Sequence, residues 1–516
     1  MAAEFLALHG VNLGDEVSLA YNSTLAQYDE EEETAVVTQE EVDFHPSDPL
    51  PIRQLENIIF EKTSAPQNIT ITEDGRIGMA ISKVSKHDSI KVSETPRFVL
   101  PSLAHPHIHL DKPFLLSHND TLHLKAQDGT FKEALDLTGK AKELYTTAAL
   151  LERGAQLLAD SSRAGVTHVR GFCEVDTSVG LKCIEAGLKL KAAWRRCLYV
   201  QLAAFAQDPI FSAKTRGTGA NPDDDCLSGN QNLDLLLTAL QEKDVDVLAT
   251  TPYVETSLAA SKCNIAWTIN TAIEYDLHLD FHLDYNIDAN QEPLVWFVLE
   301  ELRRQDWNGR QTGHKTVCLG HCTRLTLFSS NEWERLAKES IGLPVYFIGL
   351  PTSDLFMQGR PEASNSAAGI AAASHNRPRA TLHVPSLLNL GLKVAVGINN
   401  IGNLFTPFGS ADPLRLAEWG VGIYQDGSAD TARILYECVS WRAKEAIGLE
   451  DHKSTKERSD DPNVPRAGSE ADLIVFGPQD SGKKFVLHRK SIAEVVWNPP
   501  PEHERLVIYQ GNRVTI

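Results

Sequence analysis

Apolar and polar residues alternate with a period of two near both ends of the chain. Short runs of this kind lie between residues 55 and 99, for example NITITEDGRIGMAI, and similar runs return in residues 468–516. Such alternation is typical of β-strands that bury one face. We therefore predict one small β-sandwich formed by the N- and C-terminal segments together.

The middle of the chain has a different pattern, in which apolar, β-branched runs alternate with stretches of helical periodicity. The runs are Phe98–Ala104, Val166–Val175, Leu198–Ala206, Val245–Val254, Leu277–Leu283, Thr316–Gly320, Pro344–Leu350 and Leu392–Ile398. Eight strands separated mostly by helices predict an α/β fold, a (β/α)8 TIM-type barrel, over residues 100–450. An open doubly wound sheet is the alternative, but it requires a glycine-rich phosphate turn after the first strand, and the sequence has none there.

Two polar segments lie outside these predicted domains. Residues 1–54 include the acidic run Asp29–Glu33, and like charges packed so closely predict a solvated, mobile arm. Residues 451–467 are polar and contain proline and glycine, which favours a surface loop before the last strands.

Composition and charge narrow the classes of partner. The 516 residues include 49 Lys and Arg against 69 Asp and Glu, so the net charge is −20. Such a surface repels phosphate backbones and anionic lipid, so we expect a small-molecule substrate, with no nucleic-acid and no membrane partner. The eight scattered cysteines and the absence of a signal-peptide pattern predict a cytoplasmic protein with reduced thiols. The sequence leaves open whether the protein forms a homo-oligomer.

The strongest candidate chemistry is the motif HPHIHLDK, residues 105–112, at the end of the first predicted barrel strand. Residues two apart on a strand share a face, so His107 and His109 can aim at one point in the barrel mouth. Two imidazoles on one side of an extended segment form half of a transition-metal site. His105 has the same parity but precedes the expected end of the strand, and we leave it out of the site.

Two further histidines stand at the ends of later predicted strands. His282 ends the fifth strand in the segment HLDY, and His321 ends the sixth in LGHC. Active sites of such barrels gather at the carboxyl ends of the strands, so we interpret both as functional residues. Asp284 is two residues after His282 and so shares its face of the strand, from which it could hydrogen-bond and orient a metal ligand without touching the metal.

These motifs resemble those of the cytosine deaminase branch of the amidohydrolase superfamily. The resemblance covers about residues 55–516 and rests on HPHIHLDK, FAQDPIF, HLDYN, LGHC, PTSDLFMQGR, VGINNIGNLFTPFGSADPL and GSEADLIVF. It implies one divalent zinc or iron ion in the barrel, with His107, His109 and His282 as ligands. It further implies that His321 bonds to the metal's water and that Gln207 contacts the amide edge of the substrate.

Two positions depart from that family's pattern. The family has a proton-shuttling glutamate where this chain has Tyr285, and a metal-binding aspartate where this chain has Asn399, which we keep as a metal-site candidate. The reference pKa of glutamate is about 4.3 and that of tyrosine about 10, and asparagine cannot hold a proton. Loss of one placed acid or base removes ~10²–10⁴ in rate, so ordinary deamination of cytosine is not expected.

The sequence therefore predicts a metal-dependent hydrolase of a C–N bond in a cyclic amide, amidine or nucleobase-like small molecule. The candidate catalytic residues are His321 as base, Tyr285 as hydrogen-bond donor or late acid, and Asp284. Two alternatives stay open. One is a metal-poor lyase, cyclase or isomerase that uses His321 and Tyr285, and the other is a non-catalytic protein on the same fold.

Overall fold

A computed structural model describes most of the chain from residue 43 onwards. The predicted acidic arm as far as residue 42 lies outside the described residues, and so do residues 451–460 of the predicted loop. The described ranges are 43–61, 63, 65–80, 89–90, 95–212, 229–359, 380–449, 461–477 and 487–516.

The strands within these ranges form two sheets. In chain order the strands are β1 (Leu50–Pro51), β2 (Gln54–Ile59), β3 (Gln67–Ile71), β4 (Ile77–Ala80), β5 (Ser89–Ile90), β6 (Arg97–Pro101), β7 (Leu103–His109), β8 (Val166–Glu174), β9 (Tyr199–Ala206), β10 (Val247–Thr250), β11 (His278–Leu283), β12 (Val317–His321), β13 (Val345–Gly349), β14 (Val394–Val396), β15 (Leu473–Phe476), β16 (Arg505–Tyr509) and β17 (Asn512–Arg513).

Helices connect most of the strands from β7 onwards. They are α1 (Phe131–Glu143), α2 (Thr147–Ala164), α3 (Lys182–Trp194), α4 (Gln231–Ala239), α5 (Leu258–Glu274), α6 (Val295–Arg304), α7 (Trp307–Arg310), α8 (Ser330–Ser340), α9 (Pro351–Met357), α10 (Val384–Asn389), α11 (Pro413–Tyr424), α12 (Ala429–Cys438), α13 (Trp441–Ala446) and α14 (Ile492–Trp497). Local sequence sets several of their ends. Thr146 caps the start of α2, and Gly165, with φ of 108°, ends it in the left-handed conformation that glycine adopts most readily. No described helix is long and apolar enough to cross a membrane.

Strands β7 to β14 form a barrel that is closed by backbone hydrogen bonds between β7 and Asn399, which lies just beyond β14. Each strand pairs in parallel with the next. The N–H of Asn399 donates to the carbonyl oxygen of His107 at 3.1 Å, and the N–H of His109 donates to the carbonyl oxygen of Asn399 at 3.0 Å. The predicted (β/α)8 barrel is confirmed.

The first barrel strand lies later in the chain than the sequence predicted. The apolar run Phe98–Ala104 divides between β6, which joins the other sheet, and the start of β7. Pro101 and Ser102 interrupt this run at the point where the chain passes from one sheet to the other, a signal that the prediction of a single strand did not use. The histidines of the HPHIHLDK motif therefore lie inside β7.

The second sheet combines strands from both ends of the described chain, as predicted. Its order is β1-β17-β16-β15-β6-β2-β3-β4, with β5 paired to β2, so β1 extends it a few residues before the predicted boundary at residue 55. At its centre β6 and β15 run antiparallel, with Leu100 opposite Ile474. These two side chains join the main core of the barrel, whereas Val99 and Val475 join a separate core on the other face.

A buried ion pair ties this second sheet to the barrel. Arg505 on β16 donates to both carboxylate oxygens of Asp412, at 2.9 and 2.7 Å, and to the carbonyl oxygen of Ala164 at 2.6 Å. Asp412 also accepts from the N–H of Leu414 at 2.9 Å and so caps α11. One guanidinium therefore satisfies polar groups at the ends of two barrel helices.

We expect the Arg505→Met variant to unfold at a lower denaturant concentration, with a loss of about 3–5 kcal/mol, because it leaves the Asp412 carboxylate buried without its cation. Denaturant titration followed by circular dichroism measures the loss. The control is Arg415→Met, which removes an exposed pair with Glu418 and should change stability by about 0–1 kcal/mol. Equal midpoints for the two variants would contradict the assignment.

Candidate active site

Three histidines that the sequence singled out meet inside the barrel. The Nε2 atom of His282, on β11, lies 3.1 Å from Nε2 of His107 and 3.3 Å from Nε2 of His109, both on β7. All three side chains are buried. Ligands that hold one ion at about 2.0–2.1 Å with tetrahedral angles lie about 3.3–3.4 Å apart, so this spacing is that of a three-histidine metal site.

The donor set also fits a divalent transition metal. Burial lowers the pKa values of His107, His109 and His282 below their usual range, so all three are neutral imidazoles near pH 7, the form that binds metal. Three neutral nitrogens that face one another at this distance cannot all hydrogen-bond among themselves, since each pair needs a proton between its atoms. A shared cation satisfies all three together.

Carboxylates stand behind two of these histidines. Asp280 Oδ1 lies 3.6 Å from Nδ1 of His107, and its other oxygen accepts from the Arg170 guanidinium at 3.2 Å. Asp111 Oδ1 lies 4.0 Å from Nδ1 of His109. Both distances exceed the length of a normal hydrogen bond, so in this structure the two carboxylates act on the imidazoles by their charge.

Asn399 lies beside these histidines, where the sequence placed it. Its side-chain N–H donates to Ser353 Oγ at 2.9 Å, and its Oδ1 is buried without a hydrogen-bond partner in the described part of the chain. An unpartnered buried carbonyl oxygen is expected to accept a proton or hold a cation. The prediction that Asn399 contributes to a metal site agrees with this geometry and stays a prediction.

His321 is held by a carboxylate that the sequence analysis did not assign. Its Nδ1 lies 2.7 Å from Asp354 Oδ1, on α9, and both side chains are buried. The other oxygen of Asp354 accepts from Thr381 Oγ1 at 3.1 Å. This bond places the proton of His321 on Nδ1, and Nε2 is then a free acceptor for a proton. The ring centroid lies 5.4 Å from that of His282.

Tyr285 packs its ring on His321, with centroids 3.9 Å apart. Its hydroxyl donates to the carbonyl oxygen of Ser353 at 3.3 Å. Burial and the neighbouring Asp354 raise the pKa of Tyr285 well above its usual value. The phenol therefore keeps its proton near neutral pH, and it can donate a hydrogen bond but cannot act as a base.

Asp284 has a different role from the one predicted. Its carboxylate accepts from the N–H groups of Leu294 and Val295, at 2.8 and 3.1 Å, and so holds the start of α6. It does not line the cavity around the histidines. The shared parity with His282 was misleading, because Asp284 lies just beyond β11 with φ of 49° and leaves the strand's alternation.

His321 and Asn399 share this left-handed backbone, with φ of 68° and 66°. Non-glycine residues adopt it at a cost of about 1–2 kcal/mol, and such outliers cluster at functional sites. Here the unusual backbone occurs where β12 and β14 end, at the mouth of the barrel.

A small cavity of about 20 Å³ lies between these groups, room for about one water molecule. It has aromatic, amide and imidazole walls. The lining residues are His109, Lys112, Phe131, Gln207, Tyr253, His282, Tyr285, His321, Ser353, Asn399, Asn400 and Phe405. A ring-sized ligand would have to displace some of these side chains on entry.

Lys112 and its partners were also missed at the sequence level. The Lys112 ammonium lies 3.0 Å from Glu174 Oε2 and donates to Gln207 Oε1 at 3.3 Å. Lys112 belongs to the HPHIHLDK motif, and Glu174 ends β8, so the rule about the carboxyl ends of barrel strands could have found both. Gln207 lies at the cavity as expected, and its contact with substrate stays a prediction.

Comparisons with known proteins find solved structures with a similar fold, but no matching family profile or curated sequence. No protein-family profile matches the chain, and no curated protein sequence matches it. Among solved structures, 5-methylcytosine deaminase from Klebsiella pneumoniae is similar with a TM-score of 0.68 and 19% identity, over 89% of this chain and 96% of that one.

Two further structures extend this similarity. N-isopropylammelide isopropylaminohydrolase from Burkholderia multivorans has a TM-score of 0.63 and 19% identity, over 90% of this chain and 98% of that one. An adenosine deaminase from Xanthomonas campestris, solved with bound zinc, has a TM-score of 0.53 and 13% identity, over 90% and 93%. These similarities confirm the fold, a (β/α)8 barrel with an added β-sheet.

We expect His107→Ala, His109→Ala and His282→Ala each to empty the metal site, because a three-ligand site rarely survives the loss of one imidazole. His321→Ala should keep its metal and lose turnover, since His321 lies beside the cluster rather than in it. Elemental analysis of protein purified without chelator measures the metal content of each variant.

The matched control for this experiment is His105→Ala. His105 is buried on the same strand with the same parity as His107, but its Nε2 bonds Ser161 Oγ at 3.0 Å, away from the cluster. This variant should retain metal. If His321→Ala lost as much metal as the three ligand variants, His321 would be a ligand and its role as a base would be wrong.

Proposed function

We propose that this protein is a metal-dependent hydrolase that cleaves a C–N bond in a small, nucleobase-like ring compound. A zinc or iron ion fits the three imidazoles equally well by ligand type. Since the described cysteines are free thiols, a reducing compartment such as the cytoplasm is the proposed location.

The convergence of three neutral histidine nitrogens at 3.1 and 3.3 Å is the observation that carries this proposal. It lies at the carboxyl end of a barrel whose fold matches solved deaminases and an aminohydrolase. A fourth histidine, His321, stands beside the cluster with a carboxylate behind it. The combination supports hydrolysis by an activated water.

The chain's own residues divide the remaining tasks. A metal ion bound by the three histidines would lower the pKa of a bound water to about 7. His321 would take a proton from that water at Nε2, while Asp354 stabilises the imidazolium that results. Gln207 would hydrogen-bond an amide edge of the ring, and Tyr285 would donate a hydrogen bond to an atom that gains negative charge.

Tyr285 explains why simple deamination of cytosine is not the proposed reaction. Transfer of a proton from water to a ring nitrogen requires a group that is both base and acid near neutral pH. Burial raises the pKa of Tyr285 too far for that task. The site is better suited to a substrate whose leaving group needs little help from a proton shuttle.

The metal-free alternative receives less support. An acid–base pair of His321 and Tyr285 would place the phenol hydroxyl near an imidazole nitrogen. In the structure the two rings pack against each other at a tilt of 34°, and the hydroxyl donates to the carbonyl oxygen of Ser353. No direct proton transfer connects the two side chains in this arrangement.

We expect protein reconstituted with zinc to hydrolyse N-isopropylammelide or dihydrouracil, with 5-methylcytosine and guanine as rings that it should leave intact. Release of ammonia or amine and loss of ring absorbance provide the measurement. Dialysis against a chelator should abolish turnover, and added zinc should restore it, because the attacking water depends on the ion. Full activity in metal-free protein would contradict the proposal and would favour a lyase or isomerase.

On whichever substrate is found, Tyr285→Phe should lower kcat by ~10²-fold or more with little effect on stability, because it removes only the donated hydrogen bond. Tyr145→Phe is the matched control. Tyr145 is also buried, its hydroxyl has no hydrogen-bond partner in the described residues, and it lies outside the cavity lining. It should leave kcat unchanged.

The double variant Tyr285→Glu with Asn399→Asp completes the experiment. If the site has been retuned for its own reaction, this variant should lose native turnover and gain no cytosine deaminase activity. Restored hydrolysis of cytosine would show instead that the two residues only disable a deaminase. Full native activity in Tyr285→Phe would overturn the assignment of the tyrosine as donor.

A further inference from the structure

The charges around the cavity are unbalanced. Among the described residues that line it, Lys112 carries a positive charge, and there is no aspartate or glutamate. The two residues at the expected carboxylate positions, Tyr285 and Asn399, are neutral.

Lys112 is held in place by a charge network behind the cavity. One oxygen of Glu174 forms an ion pair with Lys112 at 3.0 Å, and the other accepts a hydrogen bond from Lys142 at 2.7 Å. Burial alone would raise the pKa of Glu174, but the two ammonium groups lower it below its usual value, so the carboxylate stays ionised. Lys142 also contacts Asp176 and lies 3.7 Å from Asp208.

This arrangement orients the Lys112 ammonium and leaves it hydrogen-bonding capacity. Its partners in the described part of the chain are Glu174 and Gln207, and an ammonium has three N–H donors. Neither Glu174 nor the acidic partners of Lys142 line the cavity. The ammonium therefore presents a positive charge to the cavity, and one of its N–H groups is left to donate to a ligand.

The walls of the cavity specify a flat ligand. Phe131, Tyr253 and Phe405 lie around Tyr285, and the ring centroids of Phe131 and Tyr253 are 5.8 and 5.9 Å from that of Tyr285. Aromatic walls of this kind favour a planar ring. The amide of Gln207 offers polar contacts at one edge, beside Lys112.

We propose that the substrate is a planar, oxo-substituted nitrogen ring that is an anion at neutral pH, and that Lys112 binds its negatively charged oxygen. This inference rests on the proposed function and names the substrate class for that site. A divalent ion held by the three histidines would add positive charge beside a lining that already has one cation. Glu174 balances Lys112 from behind the cavity, so the gain from an anionic ring lies in the direct charged hydrogen bond to the ammonium, which a neutral ring makes more weakly.

The experiment compares two rings of similar shape that differ in charge at pH 7, namely barbiturate, which is an anion, and uracil, which is neutral. Isothermal titration calorimetry with zinc-loaded protein gives both dissociation constants without any turnover. Wild type should bind barbiturate at least 10-fold more tightly than uracil, since a hydrogen bond to a charged partner corresponds to about 10- to 100-fold in affinity.

The Lys112→Met variant should lose this preference and bind both rings with similar affinity. Its matched control is Lys132→Met, which removes an exposed lysine next to Phe131, a residue of the cavity wall. The control should keep the preference, because an exposed charge is screened by water and salt. Metal content measured on the same samples shows whether each variant still holds its ion.

If Lys112→Met does not fold, the comparison of the two rings in wild type still tests whether the site prefers an anion. Equal affinity for both rings, tighter binding of uracil, or no binding of barbiturate would each overturn the inference. A preference that persists in Lys112→Met would overturn the role of the lysine. Each of these failures leaves the metal and turnover experiments untouched, so it is distinguishable from failure of the proposed function.

Discussion

The parallel bridge between β7 and Asn399, just beyond β14, is the constraint on which both the fold and the site depend. Asn399 exchanges backbone hydrogen bonds with His107 and His109, so the bonds that close the barrel also fix the two histidines of one strand. A parallel barrel gathers the carboxyl ends of its strands at one mouth. Side chains far apart in the sequence, such as His282 and His321, meet there without any local interaction between them.

Burial of polar groups explains much of the rest of the site. The barrel interior contains Arg170 and Asp280, both fully buried, and they stabilise each other below the histidine cluster. Glu174 plays the same part for Lys112 and Lys142. Removing one member of such a pair leaves an uncompensated charge in a medium of low polarity, which is far more destabilising than never having the pair. These networks keep the functional groups in place and in defined charge states.

The barrel, the second sheet from both ends and the meeting of His107, His109 and His282 were predictable from the sequence, because strand parity and the ends of barrel strands leave strong local patterns. Asp354 was not, since only tertiary packing brings α9 against His321. Asp284 was misassigned because a change to positive φ at a strand end is invisible in the order of residues. The boundary between β6 and β7 was missed because the prediction assigned Phe98–Ala104 to one strand, although Pro101 and Ser102 separate the two sheets there.

The pairing of β6 with β15 has a consequence for biosynthesis. These neighbouring strands are separated in the sequence by the entire barrel. The nascent chain can pair one edge of β6 with β2, but the edge that faces β15 stays unpaired until the last strands are made. Contacts so distant in sequence form slowly, and an exposed apolar strand edge invites association with other chains in the meantime. A chain of this topology must therefore hold its first half in a partly folded state during translation, which is the situation in which chaperones act.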